Sequence, residues 1–160
     1  KGIQQATINM ATVMLWHLLE QQMLGFHRRQ VLTIEEEHGV LNDPAVHRKL
    51  YKLKEFEDRL EEGGFGLNQM VAWQKVNELR LVANTVKHGA GDSARKLHSL
   101  RPDLFSPPCI EDFGDAFPPR PQDVERPAAG EDLYVRERDL TEYFDTAVAF
   151  WGEFSALIQR

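Results

Sequence analysis

NQMVAWQKVNELRLVANTVKHG, residues 68–89, decides the fold, because it reads as one long helix. Ala72, Val76, Leu79, Ala83 and Val86 follow one another at steps of four and three, which places them on one face. Asn77, Arg80 or Leu81, Asn84 and His88 recur at similar steps on another. Arg80, Asn84 and His88 are successive i, i+4 neighbours, so they form a polar stripe with Lys87 at its edge. Gly89 follows the last periodic residue, where a C′ glycine ends a helix. Nowhere else does the chain gather hydrogen-bonding side chains so tightly on one element.

Working outward, residues 3–32 are rich in helix formers and free of proline. Ile3, Ala6, Met10, Val13, Met14, Trp16, Leu18 and Met23 predict a broad apolar surface packed on more than one side. Asn9, His17, Glu20 and Gln21 make the stretch too polar to span a membrane, and it lacks the layout of a signal peptide. Residues 33–42 read as a polar connection. Asp43-Pro44 then looks like an N-cap followed by proline at N1. Val46, Leu50, Leu53, Phe56 or Glu57, and Leu60 carry a second helix to about Glu62. Gly63-Gly64-Phe65-Gly66 breaks it, and a turn there makes it an antiparallel partner of the 68–89 helix.

Beyond Gly89, Gly91-Asp92-Ser93 is expected to cap a short helix through Leu100, with Leu97 and Leu100 inward. Residues 101–130 hold seven of the eight prolines, with Phe105, Phe113 and Phe117 among them. Prolines at that density forbid regular helix and predict a long extended loop pinned by its aromatics. Leu133-Tyr134-Val135 reads as a short extended piece. A last helix is expected from about Asp139 to Ile158, burying Leu140, Phe144, Ala147, Phe150 or Trp151, Phe154 and Leu157. The sum is one all-α domain over 1–160: an antiparallel bundle of four main helices plus a short one, with the proline-rich segment before the last helix.

Composition narrows the function. A single cysteine, Cys109, excludes an internal disulfide and a cysteine-based zinc site, and suits a reducing, cytoplasmic compartment. A net charge of −6 argues against generic attachment to nucleic acid or an anionic membrane. Local charge differs: from Arg80 to Arg101 the cations Arg80, Lys87, Arg95, Lys96 and Arg101 face one acid, Asp92, a balance of about +4. His17 with Glu20, and Glu35, Glu36, Glu37 and His38, have matching partners on no other helix, so neither a metal nor another cofactor is expected. His27-Arg28-Arg29 reads as a solvated helix end, or as extra cations for a phosphate site. Trp16, Trp73 and Trp151 read as core.

The run Ala83-Asn84-Thr85-Val86-Lys87-His88-Gly89 (ANTVKHG), late in a long helix of an all-α chain, resembles the signature of the HEPN superfamily. That family comprises helical-bundle proteins, many of them metal-independent RNases of toxin–antitoxin, abortive-infection and CRISPR-linked systems. Its pattern is an arginine, commonly followed by a polar residue such as Asn, then a few residues, then His. The resemblance puts Asn84 in the polar slot and His88 in the histidine slot. Ala83 stands where the family carries arginine; either Arg80, one turn earlier, substitutes, or that slot is empty. It implies a prokaryotic defence protein acting on RNA through Arg80, Asn84 and His88, with a homodimer or a co-encoded protein as partner.

The chemistry of such a stripe is simple. RNA cleavage by its own 2′-hydroxyl needs a group that moves a proton near neutrality, which an imidazole with an ordinary pKa of about 6.5 supplies. Arginine gives phosphate oxygens a fixed forked donor. Ser93, Arg95 and Lys96, at a helix N-terminus beside Lys87, read as further phosphate or RNA contacts. Three readings stay open: a ribonuclease, a non-catalytic module binding a nucleotide, RNA or a partner, and a structural subunit whose bundle faces and aromatic loop assemble with other chains; a stripe without chemistry would be a solvated face or would tie down the proline-rich segment.

Overall fold

The computed structural model describes residues 2–107 and 124–159. Phe113, Phe117, Cys109 and much of the expected 101–130 loop lie outside these residues. Every described element of regular structure is helical. Seven α-helices follow in order: α1 (Gly2–Phe26), α2 (Ile34–Asn42), α3 (Pro44–Leu50), α4 (Leu53–Glu62), α5 (Val71–His88), α6 (Asp92–Leu100) and α7 (Glu137–Ile158). No helix among the described residues is long and apolar enough to cross a membrane.

The sequence divides more finely than its periodicity implies. Residues 33–42, expected as a connection, form α2, because Thr33 and Glu36 close a capping box and three acids occupy the positive first turn. The single helix expected over 44–62 breaks at Tyr51-Lys52 into α3 and α4. The helix expected over 3–32 ends at Phe26 and passes into one wider, π-type turn from His27 to Val31. These two departures meet: the Leu50 carbonyl at the end of α3 accepts a hydrogen bond at 3.0 Å from Nε2 of His27, which is fully buried rather than solvated.

α5 is the axis of the core. Ala72 N–H donates to Glu153 of α7 at 3.2 Å, and six residues further along Glu78 meets Tyr143, so α5 and α7 run antiparallel. α1 lies parallel to α7. Gln4 bonds Glu137 near the start of both helices, and Trp151 Nε1 donates to Gln22 Oε1 at 2.9 Å near their ends. Phe26, Phe56, Phe150 and Phe154 interlock where α1, α4 and α7 converge. Burial of this cluster, at roughly 1.5–3 kcal/mol per large side chain, is what holds the helices together.

Several residues expected to pack inward do not: Phe144 and Leu100 are exposed, and so are Ile3, Met10, Met14 and Leu18 on the side of α1 turned away from the core. On α7 the buried stripe is rotated to Asp139, Tyr143, Phe150, Phe154 and Leu157. Phe105 is buried as expected, at the end of a 3-10 turn from Pro102 rather than in an extended segment. After the undescribed residues the chain is pinned to α1 by Asn9. Its side chain, wholly buried, donates to the carbonyls of Pro127 (2.7 Å) and Leu133 (2.9 Å) and accepts from Gln5.

Candidate functional site

From Val76 to Val86 the buried residues of α5 are Val76, Glu78, Leu79, Val82, Ala83, Thr85 and Val86. The six side chains left to solvent from there to the helix end are Asn77, Arg80, Leu81, Asn84, Lys87 and His88. At about 100° of rotation per residue, these six fall within one arc of roughly 120°. α1, α6 and α7 pack around the rest of the helix, and this arc is what they leave open. Arg80, Asn84 and His88 therefore do share a face, climbing about 6 Å per step of four residues.

Within the arc the three differ. Arg80 Nη1 donates to Glu57 Oε1 of α4 at 2.9 Å, so its charge is already matched. Asn84 is half-buried, and His88 and Lys87 are exposed. Val86 and Ala83, immediately behind, are sealed in the core, so the arc is carried on a rigid wall. Gly89 then turns the chain with φ 67°, and the next N–H, of Ala90, donates to the Val124 carbonyl at 2.9 Å. That bond fixes the end of the stripe against the rejoining chain.

The second predicted cluster is differently arranged. α6 starts at Asp92 with Gly91 as its N-cap, so Ser93 does not cap the helix and is half-buried in its first turn. Asp92 places its own carboxylate at that N-terminus and pairs with Arg95, while Lys96 is exposed beside them. The local excess of positive charge read from residues 80–101 is thus largely matched. Arg80, Arg95 and Arg101 each have a carboxylate partner, and Lys87, Lys96 and His88 remain open to solvent.

Arg101 belongs to a buried network that sequence reasoning missed. Glu78, on α5, accepts from Arg101 Nη1 at 2.6 Å, from the Tyr143 hydroxyl at 2.7 Å and from Lys75 Nζ at 3.0 Å. Arg101 Nη2 also donates to Asp139 (2.8 Å) and Asp103 (2.8 Å), and its Nε donates to the other Asp103 oxygen. Asp139 in turn accepts from the Arg136 N–H at the start of α7. The Arg101 guanidinium holds the Asp103 carboxyl below the usual carboxylate range. Burial, with Glu78 beside it, pushes the Tyr143 phenol well up, so it stays a neutral donor. The network ties α5, the end of α6 and α7 together. Its one sequence signal was Asp139 and Tyr143 at i, i+4 on the last helix.

A groove of about 490 Å³ runs along α5 towards the arc, bordered by Asn68, Gln74, Asn77, Leu81 and Leu100. Asn77 and Leu81 belong to both groove and arc. Asn77 Oδ1 is buried there without a hydrogen-bond partner among the described residues. Among the described residues no three His, Cys, Asp or Glu side chains gather as a metal site, and His17 stands 4.0 Å from Glu20 alone. The arc is suited to contacting an anion with imidazole, ammonium and amide groups, and to moving a proton through His88. Compared with protein-family models, with curated proteins and with solved structures, the chain has no significant match.

Proposed function

We propose that this chain is a HEPN-like protein of a prokaryotic defence or toxin–antitoxin type system, and that the open arc of α5 is its RNA site. One observation carries the reading: every side chain that α5 leaves to solvent between Val76 and His88 falls on one face, and four of the six are Arg80, Asn84, Lys87 and His88. In this reading α1, α4, α5 and α7 are the four main helices of the bundle, with α5 antiparallel to α1 and α7 and α6 as the short helix.

As a metal-independent endoribonuclease, the arc works on the RNA's own 2′-hydroxyl. The 2′-oxygen attacks the adjacent phosphorus and passes its proton to neutral His88. The O2′–P bond forms as the P–O5′ bond breaks, and the departing 5′-oxygen takes a proton from water. The products are a 2′,3′-cyclic phosphate and a 5′-hydroxyl end, and His88 returns its proton to solvent. Lys87 and the Arg80 donors that Glu57 does not take stabilise charge on the phosphoryl oxygens, and Asn84 positions the phosphate.

A labelled single-stranded RNA tests this directly. His88→Ala is expected to lose cleavage with an unchanged melting temperature, because His88 is exposed. Cleavage at the original rate by that variant removes the ribonuclease reading. The Arg80–Glu57 pair favours a second reading, in which the arc binds RNA, a nucleotide or a partner without turnover. Salt-sensitive binding that survives His88→Ala, with no cleavage by the original chain, selects it.

A further inference from the structure

The groove beside the arc holds two hydrogen-bond acceptors that the fold leaves unused. Asn77 Oδ1 is buried there without a partner among the described residues. Glu78, the next residue, borders the same groove with a side chain only 9% exposed. Its three donors, from Arg101, Tyr143 and Lys75, all meet Oε1. Among the described residues none donates a hydrogen bond to Oε2. A largely buried acceptor without a donor is costly, so two on successive residues mark a place where a ligand supplies the protons.

The rest of the groove says what kind of ligand. Its volume of about 490 Å³ falls within the range of small-ligand sites. Trp73, Leu81 and Leu100 give it apolar walls, and Gln74 brings an amide that can donate or accept. Among the described residues no lysine or arginine borders it, so a phosphate finds no cation there. A cationic side chain would satisfy the two acceptors. Asn77 and Leu81, however, also belong to the arc, where Arg80, Lys87 and His88 attract an anionic strand, and such a strand brings bases. A nucleobase is neutral and flat, with apolar faces and donors along its edge.

We infer that the groove takes a guanine of the RNA strand whose phosphates lie along the arc. Guanine alone among the four bases carries two neighbouring donor groups on its Watson–Crick edge, N1–H and the N2 amino group. Adenine and cytosine set a ring acceptor beside their amino group, and uracil flanks its one N–H with two carbonyls. Guanine gives N1–H and N2–H to Asn77 Oδ1 and Glu78 Oε2, and its O6 accepts from the Gln74 amide. Leu81 and His88 are seven residues apart, about 10 Å along the helix, so this base belongs to a nucleotide close to the phosphate at His88. The inference rests on the RNA reading of the arc and adds a base preference to it.

Fluorescence anisotropy with a uridine oligomer carrying one guanosine tests it on the whole chain. That strand is expected to bind at least about fivefold tighter than the same strand with adenosine, or with inosine, which lacks only the N2 amino group. Asn77→Leu is expected to erase the preference with a melting temperature unchanged or raised, because it removes an acceptor that has no partner. If that variant fails to fold, the inosine comparison in the original chain decides alone. Equal affinity for the guanosine, inosine and adenosine strands overturns the inference and leaves the RNA reading standing, as does a preference that Asn77→Leu retains. A chain that binds no strand at all removes the RNA reading and the inference with it. Guanosine 5′-monophosphate is expected to compete only far above the strand's own concentration. Competition at equal concentration would make the occupant a free nucleotide, and displacement by N-acetylarginine amide but not by guanosine would make it a cationic side chain; either result overturns the inference.

Discussion

Arg80 and Glu57 join α5 to α4 through a 2.9 Å hydrogen-bonded ion pair at the edge of the arc that carries Asn84 and His88. α4 makes little other contact with α5, so this pair spans a gap rather than a packed seam. The arginine of the stripe is thus held by an acid that a phosphate would have to displace or share.

Glu57→Gln therefore separates the two uses of Arg80. Both side chains are about one-third to one-quarter exposed, so the substitution is expected to cost under about 1 kcal/mol in urea unfolding. Affinity for single-stranded RNA is expected to rise several-fold, with a steeper dependence on salt, because one more cation faces the nucleic acid. Filter binding from low to moderate salt reads both quantities. An unchanged salt slope would place Arg80 outside the binding surface.

The network around Arg101 is expected to matter for stability far more than any pair on the arc. Arg101→Ala leaves Glu78 and Asp139, both almost fully buried, without their guanidinium. Removing one partner of a buried ion pair typically costs about 3–5 kcal/mol. Tyr143→Phe, which removes one of three donors to Glu78, is expected to cost about 1–3 kcal/mol. Urea denaturation followed by circular dichroism measures both. If Arg101→Ala proves as stable as the original chain, the network is not holding α5, α6 and α7 together.

The helical class and the long α5 were legible because periodicity over some twenty residues leaves little choice of face: Ala72, Val76, Leu79, Ala83 and Val86 are all buried. The stripe was legible for the same reason, since residues excluded from one arc must share another. What escaped were features set by tertiary contact. Glu78 looks like a surface residue until Arg101, Tyr143 and Lys75 surround it. Phe144 looks like core until Tyr143, polar at its tip, takes the inward place by bonding Glu78. His27 looked solvated beside two arginines, and only the break after Leu50 supplies the carbonyl that lets it be buried. The charge excess around 80–101 was an arithmetic fact whose partners, Glu57, Glu78 and Asp139, lie elsewhere in the chain.

Gly89 ends α5 at a place where no other residue fits easily. Its φ is +67°, and a Cβ there would stand 2.7 Å from the Val124 carbonyl oxygen, a backbone atom with little room to yield. Gly89→Ala is expected to destabilise by about 1–3 kcal/mol. It is also expected to loosen the Ala90–Val124 bond that sets the end of the stripe. Thermal melting gives the first quantity, and amide exchange at Ala90 the second. A variant as stable as the original would mean that the turn relaxes without the contact.

His27 gives the fold a pH dependence whose sign can be worked out. Burial lowers its pKa below 6.5, and the nearby Arg59 charge adds to this; the Leu50 hydrogen bond, Glu55 and Glu36 oppose them without prevailing. In the folded chain the ring is therefore neutral at pH values where an unfolded histidine binds a proton. The unfolded state takes up more protons, so the stabilising contribution is complete above about pH 6.5 and declines as pH falls from there towards the folded value. The slope is at most about 1.4 kcal/mol per pH unit for this one group. His27→Gln offers a donor to the same carbonyl and cannot titrate. Urea midpoints between pH 7.5 and 5.5 are expected to fall more steeply for the original chain than for His27→Gln. Parallel curves would mean that the buried imidazole accepts its proton without cost, and that Nδ1, buried without a hydrogen-bond partner among the described residues, has found an acceptor.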